Sequence, residues 1–401
     1  MSTRRAASSP RSRPSARPPS DAGPGDVLEL FVLSSDPAAE SATLLASFRN
    51  ARAVAPFPRR GGEAGARWQR IIRAHERTLA VLEGRGRGRT LPRGRELRAW
   101  GRDLFELLFP GDVRRLYDVA RSLQPDGVLD LVFTSMIDWV ADKPWELAYD
   151  PVRRSHLATS DVNFVRNVFT AVPAEVRSRR RERLRILVAT AEPEGAAPVA
   201  AREEAALVRR GFRSLVDAGL ASVSVVARAT PEALHRRLSD QAVDVLHYIG
   251  HGSYDEDARE GCLFLEDGRG RPRAVDAAAF RQIVGRRGTD LVFLNACESG
   301  RGGRVDFNRG MAPALVAAGV PAVVANQYAV LDTAATTFAR ELYAALARGR
   351  GLGDAAREAR VALAHSMGTG ALDWAVPVLF ARDPGATLRP ALRGRRARAR
   401  R

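Results

Sequence analysis

The amino-acid sequence predicts an α/β protein, with a mostly parallel sheet flanked by helices on both faces. Short apolar, β-branched runs alternate with helical patterns through the second half of the chain. Each run is strand-length rather than helix-length and is bounded by turn or capping residues. No period of about 20–50 residues repeats, which argues against a helical solenoid.

In chain order, residues 27–32 form a strand-like run, and helical patterns follow over 67–82 and 95–108. Between those helices lies GRGRGRTLPRG (84–94). Its glycines recur at every second residue, but no strand enters the loop and no βαβ unit surrounds it, so a phosphate cradle is weakly supported. An apolar stretch over 128–140 leads into KPWELAYDP (143–151) and then an extended stretch over 156–168. The run VRSRRRERLR (176–185) carries six arginines and reads as a solvated junction.

The second half is clearer. Strands are expected over 184–190, 222–227, 244–249, 290–296, 322–326 and 374–380. Helices are expected over 200–218, 311–318, 333–348 and 354–365, with Phe338, Leu342 and Leu346 at four-residue spacing in the third. Thr230-Pro231-Glu232 opens one more helix, in the order of cap, first-turn proline and acid. The organisation that follows is a basic disordered tail (1–25), an N-terminal companion subdomain (26–175), a basic linker (176–183), a second domain (184–384) and an Arg-rich disordered tail (385–401).

Composition narrows the classes of function. Hydrophobic residues at 45% with charged residues at 27% are those of a soluble globular chain. No apolar run approaches the ~18 residues of a membrane span, and the basic, Pro/Ser-rich N-terminus has no apolar stretch of a secretory signal. Two cysteines, Cys262 and Cys297, build neither a disulfide framework nor a four-cysteine zinc site. A reducing cytoplasm fits, with no metal and no organic cofactor. Of the net charge of +17, residues 1–25 hold +4 and residues 385–401 hold +7. Lys143 is the one lysine among 63 basic residues, a skew that fits a GC-rich genome rather than selection for phosphate contacts.

In an open parallel sheet the site lies beyond the carboxyl ends of the strands. Two expected strands end unusually: 244–249 runs into Gly250-His251-Gly252, and 290–296 into Cys297-Glu298-Ser299-Gly300. Taken singly, a cysteine after a strand is more often a small buried hydrophobe and a histidine more often a core or surface group. Together they supply what covalent acyl transfer requires. The imidazole activates the thiol and then protonates the leaving amine, and the backbone N–H groups of Gly252 and Cys297 are the candidate oxyanion donors. His251 precedes Cys297, the order of caspase-type rather than papain-like enzymes.

Several neighbours are secondary candidates. Asn295 is a candidate support for His251; His247 reads as a core or hydrogen-bonding histidine, and Cys262 as packing. Trp145 and Glu146 are expected to tie the N-terminal part to the sheet. Glu298, Asp306 and Asp332 are candidate carboxylates for a basic P1 residue, while Arg301, Arg304 and Arg309 suit an acidic P1; an apolar P1 is a third option.

Residues 96–384 resemble the CHAT family, caspase-like cysteine peptidases related to separase. HYIGHG (247–252) resembles the family's histidine motif and LVFLNACESG (291–300) its cysteine motif. MAPALVAAGVPAVVANQYAVLDTAA (311–335) is similar to the helix–strand–loop that follows the nucleophile. KPWELAYD (143–150) is similar to a Pro-Trp-Glu element, and WAVPVLFARDP (374–384) to the closing strand. The resemblance implies a caspase-like fold, Cys297 as nucleophile and His251 as general base. It also implies that segment 327–332 borders the P1 pocket, which favours Asp332. The family's usual tetratricopeptide array has no counterpart here.

The function expected is a cysteine endopeptidase acting on a protein substrate, with an activating protein partner. The resemblance implies regulated proteolysis in bacterial defence or cell death. Two other classes compete with it: a signalling scaffold with an idle peptidase fold, and a nucleic-acid-binding protein acting through the arginine tails. The first is disfavoured by the presence of both His251 and Cys297. The second lacks aromatic residues among the tail arginines and so lacks a stacking platform.

Overall fold

The structure is a computed structural model. It describes residues 26–34, 41–58, 60–124, 127–171, 183–195, 201–255, 260–284, 289–296, 310–328, 332–368 and 370–388. The chain begins with an antiparallel meander of β1 (Val27–Leu33), β2 (Ser41–Phe48) and β3 (Ala51–Pro58). Three helices follow, α1 (Gly62–Leu82), α2 (Arg95–Leu108) and α3 (Gly111–Ser122), and then β4 (Leu129–Ser135) pairs parallel with β1. A short α4 (Asp138–Ala141), a 3-10 turn (Trp145–Leu147) and the hairpin of β5 (Tyr149–Asp150) and β6 (Ser155–His156) lead to β7 (Val162–Asn167).

The second half alternates strand and helix. β8 (Leu184–Thr190), α5 (Ala201–Gly211), α6 (Arg213–Asp217), β9 (Ala221–Val226) and α7 (Pro231–Asp240) come first. β10 (Val245–Asp255), β11 (Glu260–Glu266), β12 (Pro272–Asp276), α8 (Ala277–Val284) and β13 (Leu291–Ala296) follow. The chain then adds α9 (Met311–Ala317), β14 (Ala322–Asn326), α10 (Asp332–Ala347), α11 (Leu352–Met367) and β15 (Pro377–Ala381). The expected cap at α7 forms: Ala233 N–H donates to Thr230 Oγ1 at 3.1 Å, with Pro231 in the first turn.

Among the described residues, all strands except β5 and β6 join one 13-stranded sheet, in the order β12-β11-β10-β13-β14-β15-β7-β4-β1-β2-β3. β8 pairs with β10, and β9 with β8. The expected companion subdomain and second domain therefore share one sheet. Strands β9, β8, β10, β13 and β14 run parallel to one another. β15 lies antiparallel to β14 but parallel to β7, which is parallel to β4. The sheet therefore reverses direction at β15. The carboxyl ends of β10, β13 and β14 share an edge with the amino ends of β7, β4 and β1. Sequence pattern does not carry this reversal, because β15 is buried along its whole length and so has no polar face to orient it.

Strand alternation splits the core into two layers. Val245, Ile249, Leu291 and Phe293 face a layer built by α1–α3, α5, α10 and α11, in which Phe338, Leu342 and Leu346 are fully buried. Leu246, Tyr248, Val292 and Leu294 face α7, α8 and α9. Burying each large apolar side chain contributes roughly 1.5–3 kcal/mol. The expected Arg-rich tail is shortened at its start. Leu352 N–H donates to Ala386 O at 2.9 Å, Gly351 bridges Thr387, and Leu388 is 2% exposed, so residues 385–388 pack against the start of α11. The 1–25 tail, most of the 176–183 linker and residues 389–401 lie outside the described residues. No described helix is long and apolar enough to cross a membrane.

Candidate active site

The register of β10 against β13 places the two expected motifs. The strands pair in parallel from Val245↔Leu291 to Gly250↔Ala296. In the sequence His251 follows Gly250 and Cys297 follows Ala296, so the residues that precede the two candidates lie on adjacent strands at the same level. Cys297 itself lies outside the described residues, as do Glu298, Asp306, Arg301, Arg304 and Arg309. Asp332 opens α10, and its side chain is not among those described.

The surroundings of His251 correct one expectation. Rather than sitting in a loop past a strand end, it lies inside β10, which runs on to Asp255. The strand continues because its partner changes. β8 pairs with β10 as far as Thr190↔Ile249, and β11 then takes over from His251↔Phe264 to Asp255↔Glu260. The β11–β12 hairpin was not legible in the sequence, and it leaves His251 only 3% exposed.

Tyr248 fixes the backbone at that changeover. Its hydroxyl lies 2.9 Å from His251 O and 2.7 Å from Phe264 O and shares its one proton between the two carbonyls, joining the two strands where the ladder switches. Tyr248 is fully buried, and desolvation pushes its phenol far above the ordinary tyrosine range, so the hydroxyl keeps its proton. This contact also explains Gly250. A Cβ there would stand 2.5 Å from the Tyr248 hydroxyl oxygen and 3.0 Å from Ala191 O. The glycine makes room for the Tyr248 hydroxyl.

Ile249 O accepts from Ala191 N–H at 3.0 Å on the β8 side. Alternation along β10 then turns the N–H of Gly252 toward the edge that β13 occupies.

Asn295 sits level with Ile249, and its Oδ1 accepts from Asn326 Nδ2 at 2.9 Å. It thus ties β13 to the end of β14. Next to Asn326, Gln327 Nε2 donates to Glu146 Oε2 at 3.2 Å and to Ala375 O at 2.5 Å. Arg166 Nη2 donates to Gln327 Oε1 at 3.2 Å, and Arg166 forms a two-pronged buried ion pair with Glu146, its Nε at 2.9 Å from Oε1. Glu146 therefore anchors the N-terminal half to the end of β14. Trp145 packs beneath, its indole donating to Val140 O at 2.8 Å. Sequence reading missed Asn326, Gln327 and Arg166; the polar pair directly after the apolar run 322–325 was the available signal.

His247 is a core residue. It is 1% exposed, its ring stacks on Phe293 at 4.5 Å, and Nδ1 shares a 3.1 Å hydrogen bond with the Tyr343 hydroxyl. Burial lowers its pKa to about 3. Cys262 lies within β11, opposite Ser253 and Asp276, and is half-buried. Among the described residues no group of three or more His, Cys, Asp or Glu side chains is placed to hold a metal ion.

Residues 98–382 match the CHAT domain family model. No curated protein matches the sequence. Among solved structures, the Arg-specific cysteine proteinase gingipain R aligns at 12% identity and a TM-score of 0.46, over 70% of this chain and 69% of that one. The complex of Porphyromonas gingivalis RgpB pro- and mature domains aligns at 12% identity and a TM-score of 0.44, over 72% of each chain. The Saccharomyces cerevisiae separase–securin complex aligns at 14% identity and a TM-score of 0.45, over 89% of this chain but only 30% of that one.

Proposed function

As a member of the CHAT-domain family, whose model spans residues 98–382, the chain is, we propose, a cysteine endopeptidase that works through His251 and Cys297. The observation that supports this reading is the pairing of Gly250 with Ala296, the residues that directly precede His251 and Cys297, on adjacent strands at one level.

In the proposed reaction the Cys297 thiolate attacks the scissile carbonyl carbon. The N–H groups of Gly252 and Cys297 receive the developing oxyanion. The C–N bond then breaks as protonated His251 gives its proton to the leaving amine, leaving a thioester on Cys297. Water attacks that thioester while His251 takes a proton from it. The acyl fragment leaves as a carboxylic acid and the thiol is restored. Asn295, held by Asn326, sets the level of β13 against β14 and so supports the strand from which Cys297 departs.

Asp332 is the proposed carboxylate for a basic P1 residue, with Glu298 and Asp306 as the other candidates. The substrate is proposed to be a specific protein, cleaved in a regulated way after a protein partner switches the enzyme on.

The test uses purified wild type, Cys297→Ala and His251→Ala, each incubated with lysate of the source organism while new protein N-termini are mapped by mass spectrometry. Termini that arise with wild type alone, following arginine or lysine, support the reading. Identical termini from all three proteins contradict the dyad, and a complete absence of new termini favours an idle scaffold.

A further inference from the structure

The GRGRGRTLPRG loop, which the peptidase reading leaves without a role, folds back on α1 and encloses a basic cleft. Arg85 N–H donates to Ala80 O at 2.8 Å and Gly84 N–H to Val81 O at 3.1 Å, closing the loop onto the end of the helix. Gly94 N–H donates to Gly370 O at 3.0 Å and fastens its far end. The cleft between loop and helix measures about 1020 Å³. Five arginines line it, Arg70, Arg73, Arg77, Arg85 and Arg89, against two carboxylates, Glu76 and Glu96.

A run of arginines is usually just a solvated face. Here the pairing of charges separates two of them from the rest. Arg70 is matched by Asp103 at 2.5 Å, Arg77 by Glu96 at 4.0 Å, and Arg85 by Glu83. Arg73 and Arg89 form no ion pair among the described residues, and both are exposed.

The position of the cleft also matters. The opposite face of α1 carries buried His75, whose Nδ1 shares a 2.8 Å hydrogen bond with the hydroxyl of Tyr328, two residues past β14. The loop is fastened to Gly370, between α11 and β15. Both ties lie at the edge where β10, β13 and β14 finish.

We propose that this cleft, between α1 and residues 84–96, is a docking site for an acidic segment of a polypeptide partner, with Arg73 and Arg89 as its principal contacts. Two observations favour polypeptide over nucleic acid. No aromatic side chain lines the cleft, so bases have nothing to stack on. Glu76 and Glu96 interrupt the positive lining, which suits a chain with spaced carboxylates better than one with a phosphate at every step. Binding at this cleft requires no peptidase activity and is measured on its own.

The probe is a fluorescein-labelled glutamate-rich peptide carrying a photo-crosslinker, titrated against the full chain. Arg73→Glu combined with Arg89→Glu is expected to weaken binding about tenfold or more and to flatten its salt dependence. Glu76→Gln combined with Glu96→Gln is expected to tighten it. Crosslinks are expected on α1 and residues 84–96. The proposal is overturned if the arginine reversal changes affinity by less than about twofold, or if crosslinks fall only on the 1–25 and 385–401 tails. It is also overturned if single-stranded DNA of equal charge displaces the peptide more effectively than the peptide displaces itself.

Discussion

The hydroxyl of Tyr248 donates to the carbonyl of His251 at 2.9 Å, so the residue that fixes the candidate histidine sits three positions upstream on the same strand. The same hydroxyl holds Phe264 O at 2.7 Å. One buried side chain thus secures the switch from β8 to β11. Replacing Tyr248 with Phe is expected to destabilise the protein by about 1–3 kcal/mol, measured by urea denaturation, because buried carbonyls lose their donor. It should also lower kcat more than it raises KM.

Gly250→Ala is expected to destabilise as well, since its Cβ would meet the Tyr248 hydroxyl at 2.5 Å. In the Tyr248→Phe background the atom closest to that Cβ is gone. The double variant should therefore lose less stability than the two single losses combined, a coupling that equilibrium denaturation of the four proteins reads directly.

The Glu146–Arg166 ion pair is buried on both sides and touches Gln327 at the end of β14. Glu146→Gln leaves the Arg166 guanidinium without its carboxylate in a dry environment. A loss of about 3–5 kcal/mol is expected, with a lower urea midpoint. Arg166→Lys should rescue little, because an ammonium cannot reproduce the two-pronged contact.

Acid should unfold the protein partly through two histidines. Burial depresses His247 to about 3 and His156 to about 4, against 6.5 for a free imidazole. Between those folded values and 6.5 the unfolded chain binds more protons than the native one, so stability falls as pH drops through that window and is fully present above it. His247→Gln cannot take up the proton. Its stability should decline less steeply from pH 6.5 downwards, with a slope reduced by up to about one proton, as thermal melts across that range would show.

Legibility in the sequence followed the physics of each element. The runs 184–190 and 322–326 stand out because strands buried on both faces read as near-continuous apolar stretches. The strands β2 and β3 did not, because SATLLASF and ARAVAPFP mix alanine with weak alternation that fits either period. The β11–β12 hairpin is short and polar-flanked, and its pairing with β10 is set by Tyr248, a contact that no local pattern encodes. The core role of His247 could be read from alternation along one strand, whereas the place of His251 inside β10 could not, because it depends on the pairing with β11. The polar layer of Asn326, Gln327 and Arg166 could not, since it joins residues 161 positions apart.

The central claim is that His251 activates Cys297, and thiol alkylation tests it most directly. Iodoacetamide labelling of Cys297 and Cys262 would be followed by mass spectrometry across pH in wild type and His251→Ala, with Cys262 as the internal reference. The account predicts a Cys297 profile in wild type displaced at least about one unit below the ~8.5 of a free thiol, returning toward the ordinary value in His251→Ala, while Cys262 is unchanged. A Cys297 profile in wild type that stays near the free-thiol value and does not respond to His251→Ala would contradict it.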